Sequence, residues 1–251
     1  MYSKVDTIAH RGASGSHPEN TLAAYVKAVE LGADRIELDV QCTRDHEVVT
    51  IHDATVDRTT DGTGYVRDFT LPEIKTLDAG NWFSPVFQHE RVPTLNEIMA
   101  TLKPTSVQLC IEIKGQNATE AQAIVSRTIE VIEAHEMLER CVITSFIPAA
   151  LSQTKRRQPL LVTALDPNAD VAFTARELCT QVMDVGGDIL LQRYTWLSRQ
   201  LVDDVHTQGI PIWAWTVNEV QAMHMMLSLS IDGIMTDHPD RLHRLLSSPM
   251  P

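Results

Sequence analysis

Apolar positions along the chain fall into short runs that alternate with longer stretches of helical periodicity. Val5–His10 is the first such run and predicts a strand. Asn20–Leu31 follows, with Leu22, Tyr25, Val26 and Val29 at helical spacing and Gly32 just past its end, and predicts a helix. Further strands are predicted at Arg35–Val40, Glu47–His52, Val107–Lys114, Cys141–Phe146, Leu160–Leu165, Asp188–Gln192, Ile210–Val217 and Ile231–Thr236. Helical patterns near 119–137, 147–156, 170–183, 196–207 and 218–229 lie between the later strands, and a last helix is predicted near 239–246. The tail Ser247–Pro251 is expected to fray.

The run Glu47–His52 does not fit a strict alternation. Only Gln41–His46 separates it from Arg35–Val40, and a parallel crossover takes about a dozen residues or more. It is therefore expected to return antiparallel to its predecessor, as a hairpin-like excursion. Eight strands remain, the number that closes a barrel, and the 251 residues match the usual length of one (β/α)8 (TIM) barrel. The whole chain, 1–251, is expected to form that single domain, with an insertion at about 41–93 after the second strand. The insertion holds the turn Asp61-Gly62-Thr63-Gly64, a short helical pattern at Leu71–Leu77 and the aromatic residues Trp82, Phe83 and Phe87. It leaves through Thr94-Leu95-Asn96-Glu97, a capping box that starts a helix.

Composition narrows the partners. Charged residues give 21 − 33 = −12, which disfavours a phosphate backbone and an anionic lipid surface. No nucleic-acid partner and no stable membrane association are expected. Cys42, Cys110, Cys141 and Cys179 are widely spaced and form no C-x-x-C, so they predict reduced, mostly buried thiols. With no apolar leader region before His10-Arg11 and no run near the ~18 apolar residues of a span, a cytoplasmic protein is expected.

Chemistry in such a barrel gathers at the C-terminal ends of the strands. The first strand ends in His10-Arg11. The second carries Glu37 and Asp39, two residues apart and so on one face, with Ile36, Leu38 and Val40 on the other. The third carries Glu112 and Lys114 in the same relation, with Ile111 and Ile113 opposite. Three converging carboxylates repel one another and are costly to bury unpaired. A hard divalent cation resolves this, since Mg²⁺ and Ca²⁺ prefer oxygen ligands. Glu37, Asp39 and Glu112 are the expected metal ligands, the alternative being surface or ion-paired acids. His10 and His52 each end a strand and can exchange a proton near neutral pH, whereas the other histidines read as structural. Arg11 and Lys114 can hold phosphate oxygens, pair with the carboxylates, or do both. Trp213 and Trp215 fit either barrel filling or, for Trp215 nearer the strand end, substrate binding.

The same residues form a series of ordered motifs. His10-Arg11-Gly12-Ala13-Ser14-Gly15 with Pro18-Glu19-Asn20-Thr21 comes first, then the run from Gly32 to Gln41 that holds Glu37 and Asp39. His52-Asp53, Asp57-Arg58-Thr59-Thr60, Ile111-Glu112-Ile113-Lys114, Trp215-Thr216-Val217-Asn218 and Asp232-Gly233-Ile234-Met235-Thr236-Asp237 follow in order. In this the chain resembles the glycerophosphodiester phosphodiesterase family, from residue 8 to about 242. The resemblance implies a barrel with an insertion after the second strand and one divalent metal ion on Glu37, Asp39 and Glu112, with Mg²⁺ or Ca²⁺ expected and Mn²⁺ possible. It implies acid–base work by His10 and His52, and hydrolysis of a small-molecule glycerophosphodiester to glycerol 3-phosphate and an alcohol. Two alternatives share these motifs: a phospholipase D-like hydrolase of lysolipids, and a non-catalytic module that binds phosphodiesters. The chain departs from the family pattern at His46 and at Ser230, where glycine is usual.

Overall fold

A computed structural model describes residues 5–167 and 171–247. The tail expected to fray lies, beyond Ser247, outside the described residues, as does Asp170 at the start of one predicted helix. In chain order the strands are β1 (Asp6–Ala9), β2 (Arg35–Cys42), β3 (Val48–Thr50), β4 (Gln108–Ile113), β5 (Cys141–Ser145), β6 (Val162–Leu165), β7 (Ile189–Arg193), β8 (Ile212–Trp215) and β9 (Gly233–Thr236). The α-helices are α1 (Leu22–Glu30), α2 (Leu71–Ile74), α3 (Leu95–Leu102), α4 (Ala118–Ala134), α5 (Pro148–Arg157), α6 (Ala175–Asp184), α7 (Arg199–His206), α8 (Val220–Leu229) and α9 (Pro239–Ser247).

Eight of these strands run parallel and close into a barrel, because β1 pairs with β9 on one side and β2 on the other. β3 lies outside the ring and pairs antiparallel with β2, placing Val40 against Thr50. The connection too short for a crossover is thus a hairpin, as its length requires. Alternation along each strand divides the side chains between two cores. Ile8, Cys110, Val142, Ala164, Leu191, Trp213 and Met235 fill the barrel. Ile36, Leu38, Val40, Ile111 and Ile113 face outward against the helices. Truncating one of these fully buried residues, for instance Leu38→Ala, costs about 2–5 kcal/mol. The segment between β3 and α3 has its own small core of Val49, Ile51, Val56, Val66, Ile74, Ala79 and Val92.

Local chemistry sets the boundaries. Thr94 and Glu97 form the expected capping box of α3. Thr174 and Glu177 form another, so α6 begins at Ala175 rather than near 170. The helix expected to reach 137 stops at Ala134, where Glu136 turns left-handed with φ 56°. Both departures from the usual glycine adopt that same conformation: His46 has φ 65° and Ser230, capping α8, has φ 61°. Gly12 has φ 82°, and a Cβ there would come within 2.7 Å of the Ala24 carbonyl carbon, so glycine is required where β1 hands over to α1.

Candidate active site

Glu37 and Asp39 are carried on the inner face of β2, and Glu112 on the neighbouring β4, where Asp39 lies opposite Glu112 in the strand register. One ligand oxygen from each acid lies within 4.8 Å of the others. Glu37 and Asp39 are almost fully buried, at 1% and 0% exposure. Two cations partly compensate them. Lys114 Nζ sits 2.5 Å from Glu112 Oε1 and 2.9 Å from Asp39 Oδ1. Arg11 Nε lies 3.3 Å from Asp39 Oδ2, and the Arg11 backbone N–H donates to Glu37 Oε2 at 2.9 Å. Asn20 donates to Asp39 Oδ2 at 2.7 Å and accepts from the buried Tyr25 hydroxyl at 2.9 Å. Arg11 and Asn20 both hold left-handed backbones, with φ 56° and 57°. Such strain outside glycine persists only where neighbours impose it.

The three acids respond differently. Burial, reinforced by the Asp39 and Glu112 carboxylates, pushes Glu37 well above the ordinary range. Burial also raises Glu112, with Lys114 opposing. At Asp39 the same burial is outweighed by Lys114 and Arg11, which hold it well below the ordinary range. Three acids against two cations leave one buried negative charge uncompensated, and Glu37 Oε1 has no hydrogen-bond partner. An oxygen-only donor set with that deficit fits a hard divalent cation.

The two candidate histidines share one arrangement. His10 follows β1, its backbone N–H continuing the ladder to Thr236, and its Nδ1 is 2.6 Å from Asp237 Oδ1. Asp237 also accepts from Asn218 at 2.6 Å and from Ser14 at 3.1 Å. His52 follows β3 and its Nδ1 is 2.6 Å from Asp53 Oδ1. Arg58 Nε donates to Asp53 Oδ2 at 2.6 Å, and its two terminal nitrogens donate to Glu19 at 2.8 and 2.9 Å. Glu19 also accepts from Arg11 at 2.8 Å, joining the histidine's support to that of the acids. An ionised carboxylate only accepts, so each Nδ1 carries the proton and each Nε2 is left to act as a base. The Arg58 hydrogen bond, against burial, holds Asp53 at about 2. At Asp237 burial is outweighed by the hydrogen bond from His10, and it too lies at about 2.

Beside His52 a cavity of about 220 Å³ opens at the mouth, lined by Gln41, Glu112, Lys114 and Phe146 among others. A larger groove, about 520 Å³, lies outside the barrel between α6 and α7, and none of the residues above lines it. Trp215, the last residue of β8, is half-buried and meets Phe146 edge to face at 5.8 Å. Trp213 is 3% exposed and fills the barrel. Asp53, Asp237, Asn218, Glu19 and Arg58 stand inside the sequence motifs; Asp53 adjoins the histidine it supports, but nothing in the spacing of the others reveals which histidine each serves. Asp166, just after β6, is 4% exposed and faces the same mouth, two residues beyond the inward Ala164. The available signal for it was its place as the first acid past a strand end.

Known proteins share the sequence and fold of this chain. Residues 10–241 match the model of the glycerophosphoryl diester phosphodiesterase family. A glycerophosphodiester phosphodiesterase of Caldanaerobacter subterraneus subsp. tengcongensis is 39% identical over 243 residues, covering 97% of this chain and 98% of the relative. One from Bacillus subtilis (strain 168) is 31% identical over 261 residues, covering 96% and 86%. An Oleispira antarctica phosphodiesterase, solved in complex with the product sn-glycerol-3-phosphate, superposes with a TM-score of 0.90 at 27% identity, covering 98% of each chain.

Proposed function

The chain belongs to the glycerophosphoryl diester phosphodiesterase family and is a phosphoric diester hydrolase; on that premise we propose that it cleaves small glycerophosphodiesters to glycerol 3-phosphate and an alcohol, with one divalent cation held by Glu37, Asp39 and Glu112 and proton transfer by His10 and His52. The carrying observation is the buried triad, within 4.8 Å, at the mouth where two histidines are each fixed by an aspartate. When bound, a divalent cation there supplies Lewis-acid stabilisation of negative charge on the phosphoryl oxygens.

The chain's own groups account for the rest. Arg11 and Lys114 lie beside the triad and hold non-bridging phosphate oxygens, which neutralises charge as it builds. As water adds to phosphorus and the P–O bond to the alcohol breaks, one histidine takes a proton from the water. The other, carrying a second proton on Nε2 as the imidazolium, gives that proton to the departing oxygen. Asp53 and Asp237 keep the Nδ1 proton in place on both rings, so that Nε2 is the atom that takes or gives the proton. Trp215 lines the substrate moiety opposite the triad.

No helix among the described residues is long and apolar enough to cross a membrane. The −12 charge favours small soluble diesters over anionic lipid surfaces. Four free cysteines, three of them buried, fit work in a reducing cytoplasm. A second reading, hydrolysis of lysolipids, draws on the row of rings His17, Phe87, Phe83 and Trp82, spaced 5.0 to 5.9 Å, and on Val86 at 78% exposure beside it. The deciding experiment compares kcat/KM for glycerophosphocholine with that for monomeric lysophosphatidylcholine, following released choline, the product common to both. Glycerophosphocholine is expected to be preferred. A preference for the lysolipid overturns the soluble-substrate reading, and no release from any glycerophosphodiester overturns the activity.

A further inference from the structure

Across the barrel mouth from the triad, polar groups are buried without partners. Asp166 is 4% exposed and its Oδ1 accepts no hydrogen bond. It forms no ion pair among the described residues, and its backbone N–H is tied to Ser145 O at 3.1 Å, so the chain holds it in place. The Trp215 indole nitrogen is likewise buried and unpartnered. The two are close enough for the indole to favour the charged form of Asp166, yet the N–H closes no hydrogen bond onto it. Burial, reinforced by Glu112, still pushes Asp166 well above the ordinary carboxylate range. One orphaned buried polar group costs about 1–3 kcal/mol. A buried donor and acceptor that act on each other without closing a full hydrogen bond form a recognition pair that a ligand hydroxyl can complete.

We propose that Asp166 and Trp215 form a hydroxyl-recognition subsite, in which the Asp166 carboxyl accepts from a hydroxyl of the substrate's glycerol moiety and the Trp215 indole N–H donates to a hydroxyl oxygen. The ligand class follows from the surroundings. Lys114 and Arg193 both bear on Asp166 electrostatically, and the Arg193 guanidinium lies 5.3 Å from the Trp215 ring. A cationic head group would meet two positive charges here, whereas a neutral polyol meets a donor and an acceptor. Phe146, edge-on to Trp215 and 6.0 Å from Lys114 Nζ, bridges this wall to the phosphate-holding side, so phosphate and glycerol are read by opposite walls of one mouth. Asp166 is thus a specificity residue for the reaction, distinct from the groups that move protons.

The inference rests on the glycerophosphodiesterase reading above, and its test separates the two. Affinities of the Mg²⁺-loaded enzyme for sn-glycerol 3-phosphate and for inorganic phosphate are measured by calorimetry for wild type, Asp166→Leu and Trp215→Phe. A subsite built to pair hydroxyls discriminates strongly against a ligand that lacks them. Wild type is expected to bind glycerol 3-phosphate at least ~10-fold more tightly than phosphate. Both variants should bring that ratio towards one while leaving the phosphate affinity nearly unchanged. Asp166→Leu removes a buried carboxyl whose Oδ1 has no partner, so its Tm is expected to hold or rise; Asp166→Asn, which keeps an acceptor oxygen, should retain part of the discrimination. A wild-type enzyme that releases glycerol 3-phosphate from glycerophosphocholine yet binds it no more tightly than phosphate defeats the subsite alone, as does an undiminished ratio in both variants. A wild type that releases none defeats the underlying reading, and the subsite with it.

Discussion

The two halves of the barrel mouth are built on opposite electrostatic plans. On the side of β9, β1, β2 and β4, acids and bases are cross-linked: Asp237 to His10, Asp39 to Arg11 and Lys114, Glu112 to Lys114, and Glu19 to both Arg11 and Arg58. On the side of β5 to β8, Thr144, Asp166 and Trp215 each keep an unpartnered buried polar atom. Both halves leave buried polar atoms unpartnered, but the first, with Glu37 Oε1 among them, also lacks one positive charge to balance its acids, whereas the second lacks hydrogen-bond partners alone. A phosphodiester with hydroxyls on one arm, together with a divalent cation, meets both needs. On the proposed reading, charge and hydroxyl recognition are separated in space. Substitutions in the first half should therefore lower kcat, and substitutions in the second should alter which ligand is held.

The most severe way to break the first half is to remove a triad oxygen. Glu37→Gln leaves the backbone bond from Arg11 an acceptor but withdraws the charge, and should cost more than the ~10²–10⁴-fold of a single acid–base group, as read by glycerol 3-phosphate release. Retained turnover within about tenfold of wild type would show that the triad is only an ion-pair network. Next come His10→Ala and His52→Ala. Each is expected to lower kcat by ~10²–10⁴-fold with Tm close to wild type, since both rings are partly exposed, at 17% and 34%; a variant with normal kcat removes that histidine from the chemistry. Arg58→Ala strikes one step further out. It frees Asp53 and Glu19 and should cost about 10–100-fold in kcat through a misplaced His52, with KM little changed.

A smaller effect sharpens the same contrast through stability. Asp53 and Asp237 both lie at about 2 in the folded protein, below the ~3.9 of a free aspartate. A depressed carboxylate contributes stability that is fully present above the unfolded value and is lost as pH falls through the folded one. Tm should therefore fall between about pH 4 and pH 2. In Arg58→Ala, which loses the main cause of the Asp53 depression, less of the loss should fall in that window. An unchanged acid profile in that variant would mean that the Arg58 clamp is not maintained in solution.

Much of this mouth was legible in the chain. The i, i+2 spacing of Glu37 with Asp39 and of Glu112 with Lys114 is enough to put acids on an inward face, because strands alternate and their intervening residues are apolar. The hairpin of β3 followed from a connection too short to cross over. The support of His10 was not legible: Asp237 lies 227 residues away, and only closure of the barrel by β9 against β1 brings them together. Asp166 was hidden for a different reason. Its place as the first acid past β6 comes without an acidic neighbour at strand spacing, and what singles it out is a missing partner, a property of the folded chain. At His46 and Ser230 the backbone keeps the left-handed form although the residue is not glycine, so the hairpin and the turn before β9 are set by packing rather than by the residue's own preference.

The most direct test of the account is a Mn²⁺ titration of the metal-stripped enzyme, followed by electron paramagnetic resonance alongside release of glycerol 3-phosphate from glycerophosphocholine. One Mn²⁺ is expected to bind per chain, with activity absent at the start and rising in step with occupancy, and neither signal is expected in Glu37→Gln. Full activity before any metal is added, or binding to Glu37→Gln as tight as to wild type, would contradict the assignment of Glu37, Asp39 and Glu112 as the cation's ligands.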